Sequence, residues 1–185
     1  GRAVYGTVDI IDDIVAEGHS ILLLGRPGVG KTTLVQKIIK RMGSVNMAGF
    51  YTSEIRCTGF RLGFELQGLN GGRRTLAHMD IDSRHRVGRY GVDKDGFEEF
   101  LTTLDLLNPH LELIVIDEIG KMELFSNRFR TLVCDALNSD KQVLASIPIK
   151  GNEFIREIKQ RVDTHLFEVT HDNRDHLPEK IVEEL

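Results

Sequence analysis

Eight consecutive residues near the start of the chain have the types and spacing of a loop that binds phosphate. Residues Gly25 to Thr32 read Gly-Arg-Pro-Gly-Val-Gly-Lys-Thr, which matches the pattern G-x-x-x-x-G-K-[ST], the Walker A motif. Glycines such as Gly28 and Gly30 permit backbone angles that are closed to other residues, so successive N–H groups can converge on one anion. The chemistry expected here is the binding of a phosphate chain.

The two residues that close the motif add a cation and a metal ligand. Lys31 can reach the β- and γ-phosphates of a nucleotide, and the Thr32 hydroxyl can ligate Mg²⁺. We expect the whole loop, together with the threonine after it, to contact the nucleotide. The predicted nucleotide-binding residues are Gly25, Arg26, Pro27, Gly28, Val29, Gly30, Lys31, Thr32 and Thr33.

The segments on either side of the loop are the ones that the motif requires. Residues 21–24 are all apolar, which is typical of a buried parallel strand. Residues 33–42 place apolar side chains at three- and four-residue spacings, which predicts an amphipathic helix. The positive end of that helix dipole would point at the same anion as the loop N–H groups.

Two adjacent carboxylates follow a second apolar run, residues 113–116. They would emerge at the carboxyl end of a buried strand, where open α/β sheets bind ligands. In phosphate-loop enzymes one carboxylate holds Mg²⁺, and a second can align and deprotonate the attacking water. We therefore predict Asp117 as a metal ligand together with Thr32, and Glu118 as the catalytic base. Ser146 ends a further predicted strand and is either a γ-phosphate sensor or an ordinary strand-terminal serine.

The rest of the chain alternates strand and helix patterns, which predicts a parallel sheet flanked by helices. Further strands are predicted over residues 48–54, 142–146 and 165–169, and helices over residues 95–107, 124–137, 152–161 and from 177. A strand over residues 60–69, the turn Asn70-Gly71-Gly72 and a returning strand over residues 73–78 predict an inserted antiparallel hairpin. The predicted fold class is α/β, with a mostly parallel sheet.

Basic residues gather between residues 80 and 93. Arg84, His85, Arg86 and Arg89 surround Val87-Gly88. A solvated surface is one interpretation of this cluster, and a contact with phosphates or with a partner is the other.

Composition bounds the class of protein. The chain has 185 residues and a net charge of −4, so it lacks the basic surplus that nucleic-acid-binding proteins usually carry. Its two cysteines, Cys57 and Cys134, form neither a zinc motif nor a disulfide framework, which favours a cytoplasmic location. No apolar run approaches the length of a membrane span. We predict an N-terminal extension over residues 1–20, with a helix pattern at 9–17, and one domain over residues 21–185.

The run from Asp117 to Ser126, Asp-Glu-Ile-Gly-Lys-Met-Glu-Leu-Phe-Ser, resembles the signature of a family of small nucleoside-triphosphatases. This family was first associated with thermophiles, and in humans it is called cancer-related nucleoside-triphosphatase. Shorter matches follow in the family's order at residues 49–54, 87–93, 146–148 and 173–175. The resemblance covers roughly residues 21 to 185, whereas residues 2–9 instead resemble the segment before the phosphate loop in stage III sporulation-type AAA ATPases.

The family resemblance implies a P-loop NTPase fold of the RecA-like type. It also implies Mg²⁺-dependent hydrolysis of ATP, GTP, CTP and UTP to the diphosphate and phosphate, with little base preference. Carried onto this chain, it makes Lys121 and Arg174 candidate catalytic residues, because a cation near the transferring phosphoryl group stabilises its transition state. The alternative for both is a surface or structural ion pair.

Two other functions stay open at the level of the sequence. A phosphotransferase of the nucleotide or small-metabolite kinase type shares the phosphate loop, but it needs an acceptor pocket and a lid, and no lid is evident. A nucleotide-switched regulatory module could act on a partner such as nucleic acid. Only the basic cluster at residues 84–89 and the N-terminal extension support that second alternative.

Overall fold

The computed structural model describes residues 20–185, except for the side chain of Glu184, and its strands form one nine-stranded sheet. The strands are β1 (Ser20–Gly25), β2 (Met47–Cys57), β3 (Phe60–Gly68), β4 (Arg73–His78), β5 (Arg86–Val87), β6 (Tyr90–Val92), β7 (Leu113–Ile116), β8 (Gln142–Pro148) and β9 (Thr164–Glu168). The helices are α1 (Lys31–Arg41), α2 (Lys94–Thr102), α3 (Asn127–Asn138), α4 (Glu153–Lys159) and α5 (Leu177–Glu184), and a 3₁₀ turn at Glu123–Phe125 precedes α3. The helix predicted at residues 9–17 lies outside the described residues.

The sheet has a parallel part and an antiparallel part, in the strand order β5-β6-β4-β3-β2-β7-β8-β1-β9. Strands β2, β7, β8, β1 and β9 pair in parallel, and β3, β4, β6 and β5 extend the sheet from β2 with antiparallel pairing. The predicted hairpin of β3 and β4 is present with its turn at residues 69–72. The stretch at residues 80–93, for which the sequence predicted no strand, contains the short strands β5 and β6.

The two faces of the parallel part are covered by different helices. Alternate residues of β1 point to opposite faces, so Ile21 joins a core with α1 and α5, and Leu22 joins a core with α2, α3 and α4. Both side chains are fully buried. Burial on both faces explains why residues 21–24 of β1 and all of β7 are continuous apolar runs rather than alternating patterns.

Capping side chains set helix boundaries that differ from the sequence predictions. The helix predicted to begin at residue 124 starts at Asn127, because the Ser126 hydroxyl accepts a hydrogen bond from the Phe129 N–H at 3.0 Å. The helix predicted over residues 95–107 ends at Thr102, and Asp105 beyond it has a left-handed φ of 50°. Asn152 caps α4 in the same way as Ser126 caps α3.

The carboxyl ends of three neighbouring strands position the candidate site. Strand β8 pairs with β1 on one side and with β7 on the other, in parallel. The phosphate loop leaves β1, the two predicted carboxylates leave β7, and Ser146 lies near the end of β8. No helix in the described part of the chain is long and apolar enough to cross a membrane.

Candidate active site

The phosphate loop turns sharply from β1 into α1. The Val29 N–H donates to the Arg26 carbonyl at 3.2 Å, which closes the turn. Gly28 and Gly30 have φ values of 77° and 108°, a region that side-chain-bearing residues rarely adopt. Among the described residues, no side chain caps the start of α1, so its first N–H groups are available to an anion in the way that the motif requires.

Lys31 is held at the ends of two strands. It is buried, and its ammonium group donates to the Gly25 carbonyl at 2.8 Å and to the Ile147 carbonyl at 3.3 Å. The same nitrogen lies 2.9 Å from Oε2 of Glu118, whose side chain is 31% exposed. The structure therefore brings the predicted phosphate-binding lysine and the predicted base into one ion pair.

Asp117 is a buried carboxylate at the centre of a group of hydrogen bonds. Its Oδ2 accepts a hydrogen bond from the Thr32 hydroxyl at 2.8 Å and one from the Thr52 N–H at 3.4 Å. Its Oδ1 accepts a hydrogen bond from the Ser146 hydroxyl. Burial raises the pKa of Asp117, the charge of Glu118 adds to that effect, and the hydrogen bonds from Ser146 and Thr32 oppose it.

The donor set formed by Thr32 and Asp117 fits a magnesium ion. A hydroxyl and a carboxylate are both hard oxygen ligands, and Mg²⁺ in phosphoryl-transfer enzymes is held by one or two such groups together with phosphate oxygens and water. The described residues contain no group of three or more His, Cys, Asp or Glu side chains arranged to hold a metal ion. A metal here would therefore depend on the oxygens of the bound phosphates.

Glu123 is a buried carboxyl group next to Glu118 that the sequence analysis did not select. Its Oε2 accepts a hydrogen bond from the Gly120 N–H at 3.0 Å. A β-carbon placed on Gly120 would lie 2.6 Å from Oε1 of Glu118 and 2.9 Å from Oε2 of Glu123, so these two oxygens are no more than 5.5 Å apart. Burial raises the pKa of Glu123 well above its ordinary value, and the charge of Glu118 adds to this rise.

Lys159 is a second residue that the sequence analysis missed. It is half-buried on α4, and its ammonium group donates to the Ile149 carbonyl just beyond the end of β8. Burial lowers the pKa of Lys159, and the nearby charge of Lys31 lowers it further. Neither Lys159 nor Glu123 belongs to a spacing pattern, and their proximity to the site follows only from the packing of α4 and of the 3₁₀ turn.

The two cations suggested by family resemblance occupy different positions. Arg174 lies against the phosphate loop, where its Nη1 donates to the Val29 carbonyl at 3.3 Å and its Cδ would be 3.5 Å from a β-carbon at Gly30. Lys121 is exposed, and none of the described hydrogen bonds or ion pairs joins it to the loop. The structure brings Arg174, but not Lys121, into contact with the phosphate-binding residues.

The mixed α/β sheet, the phosphate loop and the carboxylates at the adjacent strand end define a P-loop NTPase. The family model described as NTPase matches residues 20–182. This chain belongs to that NTPase family.

Relatives in bacteria and in humans agree with this assignment. The chain is 42% identical over 163 residues to "Nucleoside-triphosphatase THEP1" of Thermotoga sp. (strain RQ2), covering 88% of this chain and 92% of the relative. It is 40% identical over 179 residues to the human "Cancer-related nucleoside-triphosphatase", covering 88% of this chain and 94% of the relative. Both the predicted family and the predicted class of enzyme, a nucleoside-triphosphatase, are confirmed.

Two solved structures have the same fold. The crystal structure of THEP1 from the hyperthermophile Aquifex aeolicus superposes with a TM-score of 0.80 at 38% identity, covering 88% of this chain and 96% of that chain. The solution structure of the human cancer-related nucleoside triphosphatase gives a TM-score of 0.75 at 38% identity, covering 89% and 96%. The predicted α/β P-loop fold is confirmed. The sporulation-type resemblance of residues 2–9 is not supported, since the family match begins at residue 20.

Proposed function

We propose that this chain is a Mg²⁺-dependent nucleoside-triphosphatase that releases a nucleoside diphosphate and phosphate. One observation carries the proposal: the Thr32–Asp117 hydrogen bond of 2.8 Å and the Lys31–Glu118 ion pair of 2.9 Å lie at the same strand ends. Adjacent contacts of this kind combine a metal-binding pair with a cation and a base. Those are the groups that hydrolysis of a phosphoanhydride needs.

Thr32 and Asp117 would hold Mg²⁺ in this proposal. Bound there, the ion would neutralise charge on the β- and γ-phosphate oxygens. The hydrogen bonds that Ser146 and the Thr52 N–H donate to Asp117 orient its carboxylate toward Thr32. This role for Ser146 is in addition to the γ-phosphate sensor considered from the sequence.

Lys31 and Arg174 both supply positive charge at the loop. The carbonyls of Gly25 and Ile147 fix the Lys31 ammonium group at the strand ends, which pre-orients it for the β- and γ-phosphates. Arg174 is anchored through the Val29 carbonyl and would supply a second positive charge next to the phosphate chain. Lys121 stays a candidate on family resemblance alone.

Glu118 acts as the base in this mechanism. It takes a proton from a water molecule whose oxygen attacks the γ-phosphorus, while the bond from that phosphorus to the β–γ bridging oxygen breaks. The diphosphate leaves with the bridging oxygen, and the proton stays on the carboxyl group until it is released to solvent. The partial exposure of Glu118, 31%, leaves room for water to reach it.

The proposal includes little discrimination between bases. The contacts predicted for the loop are to phosphates, which all nucleoside triphosphates share, and relatives carry names that specify no base. We also propose residues 21–185 as one domain, since all described strands belong to one sheet, and a cytoplasmic location.

Phosphate release from ATP, GTP, CTP and UTP, each with and without Mg²⁺, tests the proposal. We expect the four nucleotides to be hydrolysed at comparable rates, and we expect the hydrolysis of each to depend on Mg²⁺. The matched variant is E118Q, which keeps the shape of the side chain but cannot accept a proton. It should bind nucleotide normally and lose about 10²–10⁴-fold in turnover. Undiminished hydrolysis by E118Q would remove Glu118 from the role of base.

A further inference from the structure

A cleft of about 670 Å³ with a strongly basic lining opens near the candidate active site. Its lining includes four cationic side chains, Arg86, Lys121, Arg130 and Lys150, and no Asp or Glu of residues 20–185 is among the residues that line it. We call it the basic cleft. Arg86 comes from the cluster at residues 84–89, whose purpose the sequence left open between a solvated surface and a phosphate contact.

The charges of the basic cleft are not neutralised by carboxylates. Arg86 donates to the Ile81 carbonyl at 3.2 Å and to the Arg89 carbonyl at 2.9 Å, and Arg130 donates to the Leu124 carbonyl at 3.0 Å. Carbonyl acceptors fix a guanidinium group in place without cancelling its charge. Within the described part of the chain, none of the four cations forms an ion pair.

Arginines on the hairpin of β3 and β4, in contrast, form ion pairs with glutamates. Arg61 pairs with Glu54 at 3.2 Å, and Arg74 pairs with Glu99 at 2.8 Å. An unopposed group of cations has a repulsive cost that such pairing would relieve, and a bound anion relieves it as well. The four unpaired cations that line the basic cleft are therefore suited to bind an anion.

Two walls of the basic cleft are continuous with the strand ends of the active site. Lys121 lies three residues after Glu118, and Lys150 lies three residues after Ile147, whose carbonyl holds Lys31. The third wall is β5 with Gly88 after it, and His85, the residue before β5, packs on the 3₁₀ turn with its ring centroid 4.9 Å from that of Phe125. Phe125 itself lines the cleft and gives it an apolar surface.

We propose that the basic cleft binds a second, phosphate-bearing small molecule of about the size of a nucleoside monophosphate. Guanidinium and ammonium groups are the usual protein ligands of phosphate, and Phe125 offers a surface for the apolar part of the molecule. The cleft volume falls in the usual range for small-molecule sites, about 300–1,000 Å³. The net charge of −4 disfavours a long polyanion as the occupant.

Calorimetric titration of uridine 5′-monophosphate into the full chain, with Mg²⁺ and saturating ADP to fill the phosphate loop, tests this inference. We expect saturable binding that weakens as salt is raised. Uridine, which lacks the phosphate, should not bind, and inorganic phosphate should bind about tenfold more weakly, because it leaves the apolar surface unused. An absence of saturable binding, or equal binding of uridine, would overturn the inference.

Variants locate the binding in the cleft. K150E should weaken the binding of the monophosphate by about tenfold or more, and R86Q should weaken it in the same direction. The matched control is K37E, which makes the same charge change at an exposed position of α1 and should bind within about twofold of the unchanged chain. Melting curves confirm that each variant is folded. Unchanged binding by both K150E and R86Q would refute the assignment.

Two further measurements distinguish binding in the basic cleft from binding at the phosphate loop and from nucleic-acid binding. K31A, which impairs the phosphate loop, should still bind the monophosphate, so the inference and the proposed hydrolysis can fail independently. A short single-stranded oligonucleotide should bind no more tightly than the monophosphate. If it bound far more tightly and K150E abolished that binding, the cleft would be a nucleic-acid site and the small-molecule assignment would be wrong.

Discussion

The Lys31 ammonium group has three polar partners, the Gly25 and Ile147 carbonyls and the Glu118 carboxylate, and all three belong to the candidate site. Replacing it removes the cation and leaves Glu118 without its ion-pair partner. We expect K31A to bind nucleoside triphosphates at least about tenfold more weakly and to lose turnover as well.

Fluorescent-nucleotide titration with K37A as the control measures the effect of K31A. Lys37 lies six residues further along the same helix and is exposed, so its removal should leave affinity unchanged. Equal affinities of K31A and K37A would contradict the assignment of the phosphate loop.

Glu123 links the site to the pH dependence of stability. Burial raises the pKa of Glu123 in the folded protein. At pH values between the pKa of the unfolded chain and that of the folded protein, Glu123 is therefore protonated when folded and ionised when unfolded. Stability contributed by Glu123 is therefore present at acid pH and falls as pH rises through that interval. We expect E123Q, which mimics the protonated acid, to lack this fall.

Thermal melting of E123Q and the unchanged chain from mildly acid to mildly alkaline pH measures this difference. The gap in melting temperature should widen in favour of E123Q as pH rises. The exposed Glu157 supplies a control, since E157Q should follow the unchanged chain at all pH values. Parallel curves for E123Q would show that Glu123 is ionised in the folded protein.

At the scale of residues, sequence spacing predicted the groups that act through a motif and missed those that act through packing. Thr32 and Asp117 were predicted because a phosphate loop and a strand-end carboxylate have recognisable contexts, and the structure places them in direct contact. Glu123 was missed although it lies in the run from Asp117 to Ser126 that resembles the family signature, because its spacing from Glu118 does not by itself indicate a role. Its burial depends on how the chain turns after Gly120, which no local pattern encodes.

At the scale of elements, the N-terminal cap formed by Ser126 fixes the residue at which α3 begins. The Ser126 hydroxyl accepts from the Phe129 N–H at 3.0 Å and donates to Oε2 of Glu98 at 2.9 Å, which ties α3 to α2. We expect S126A to lower the free energy of unfolding by about 1 kcal/mol for the lost cap, with a further loss from the bond to Glu98.

Urea denaturation of S126A, compared with T131A, tests this prediction. Thr131 is exposed in the middle of α3, where alanine has the higher helix propensity, so T131A should not be destabilised. A denaturation midpoint of S126A at or above that of T131A would show that the cap contributes nothing.

Strands proved more predictable than helix ends. Strand β7 is apolar throughout, β1 is apolar from Ile21 to Leu24, and the hairpin of β3 and β4 has a strong turn signal, so each was predicted within a residue or two. The short strands β5 and β6 were not predicted, since two or three residues carry no period. Strand β6 forms because the edge of β4 offers hydrogen-bonding partners to residues Tyr90–Val92, and β5 in turn pairs with β6. This pairing depends on tertiary structure and not on a local sequence pattern.

At the scale of the whole molecule, the residues that form the candidate site lie between Gly25 and Arg174, and the family match begins at residue 20. We expect a chain that begins at Ser20 to fold and to hydrolyse nucleoside triphosphates with a kcat/KM within about twofold of the full chain. Parallel measurements of phosphate release and melting temperature check this. A loss of turnover with unchanged melting would place functional residues in the removed segment.

Strand β2 belongs to both parts of the sheet. Its first residues, from Met47 to Phe50, pair in parallel with β7, and its remainder, from Phe50 to Cys57, pairs antiparallel with β3. Gly49 makes the closest approach, since a β-carbon there would lie 1.9 Å from the Val115 carbonyl oxygen. The antiparallel half thus cannot detach without breaking a strand that also belongs to the half with the candidate site, and the two halves should melt as one cooperative unit.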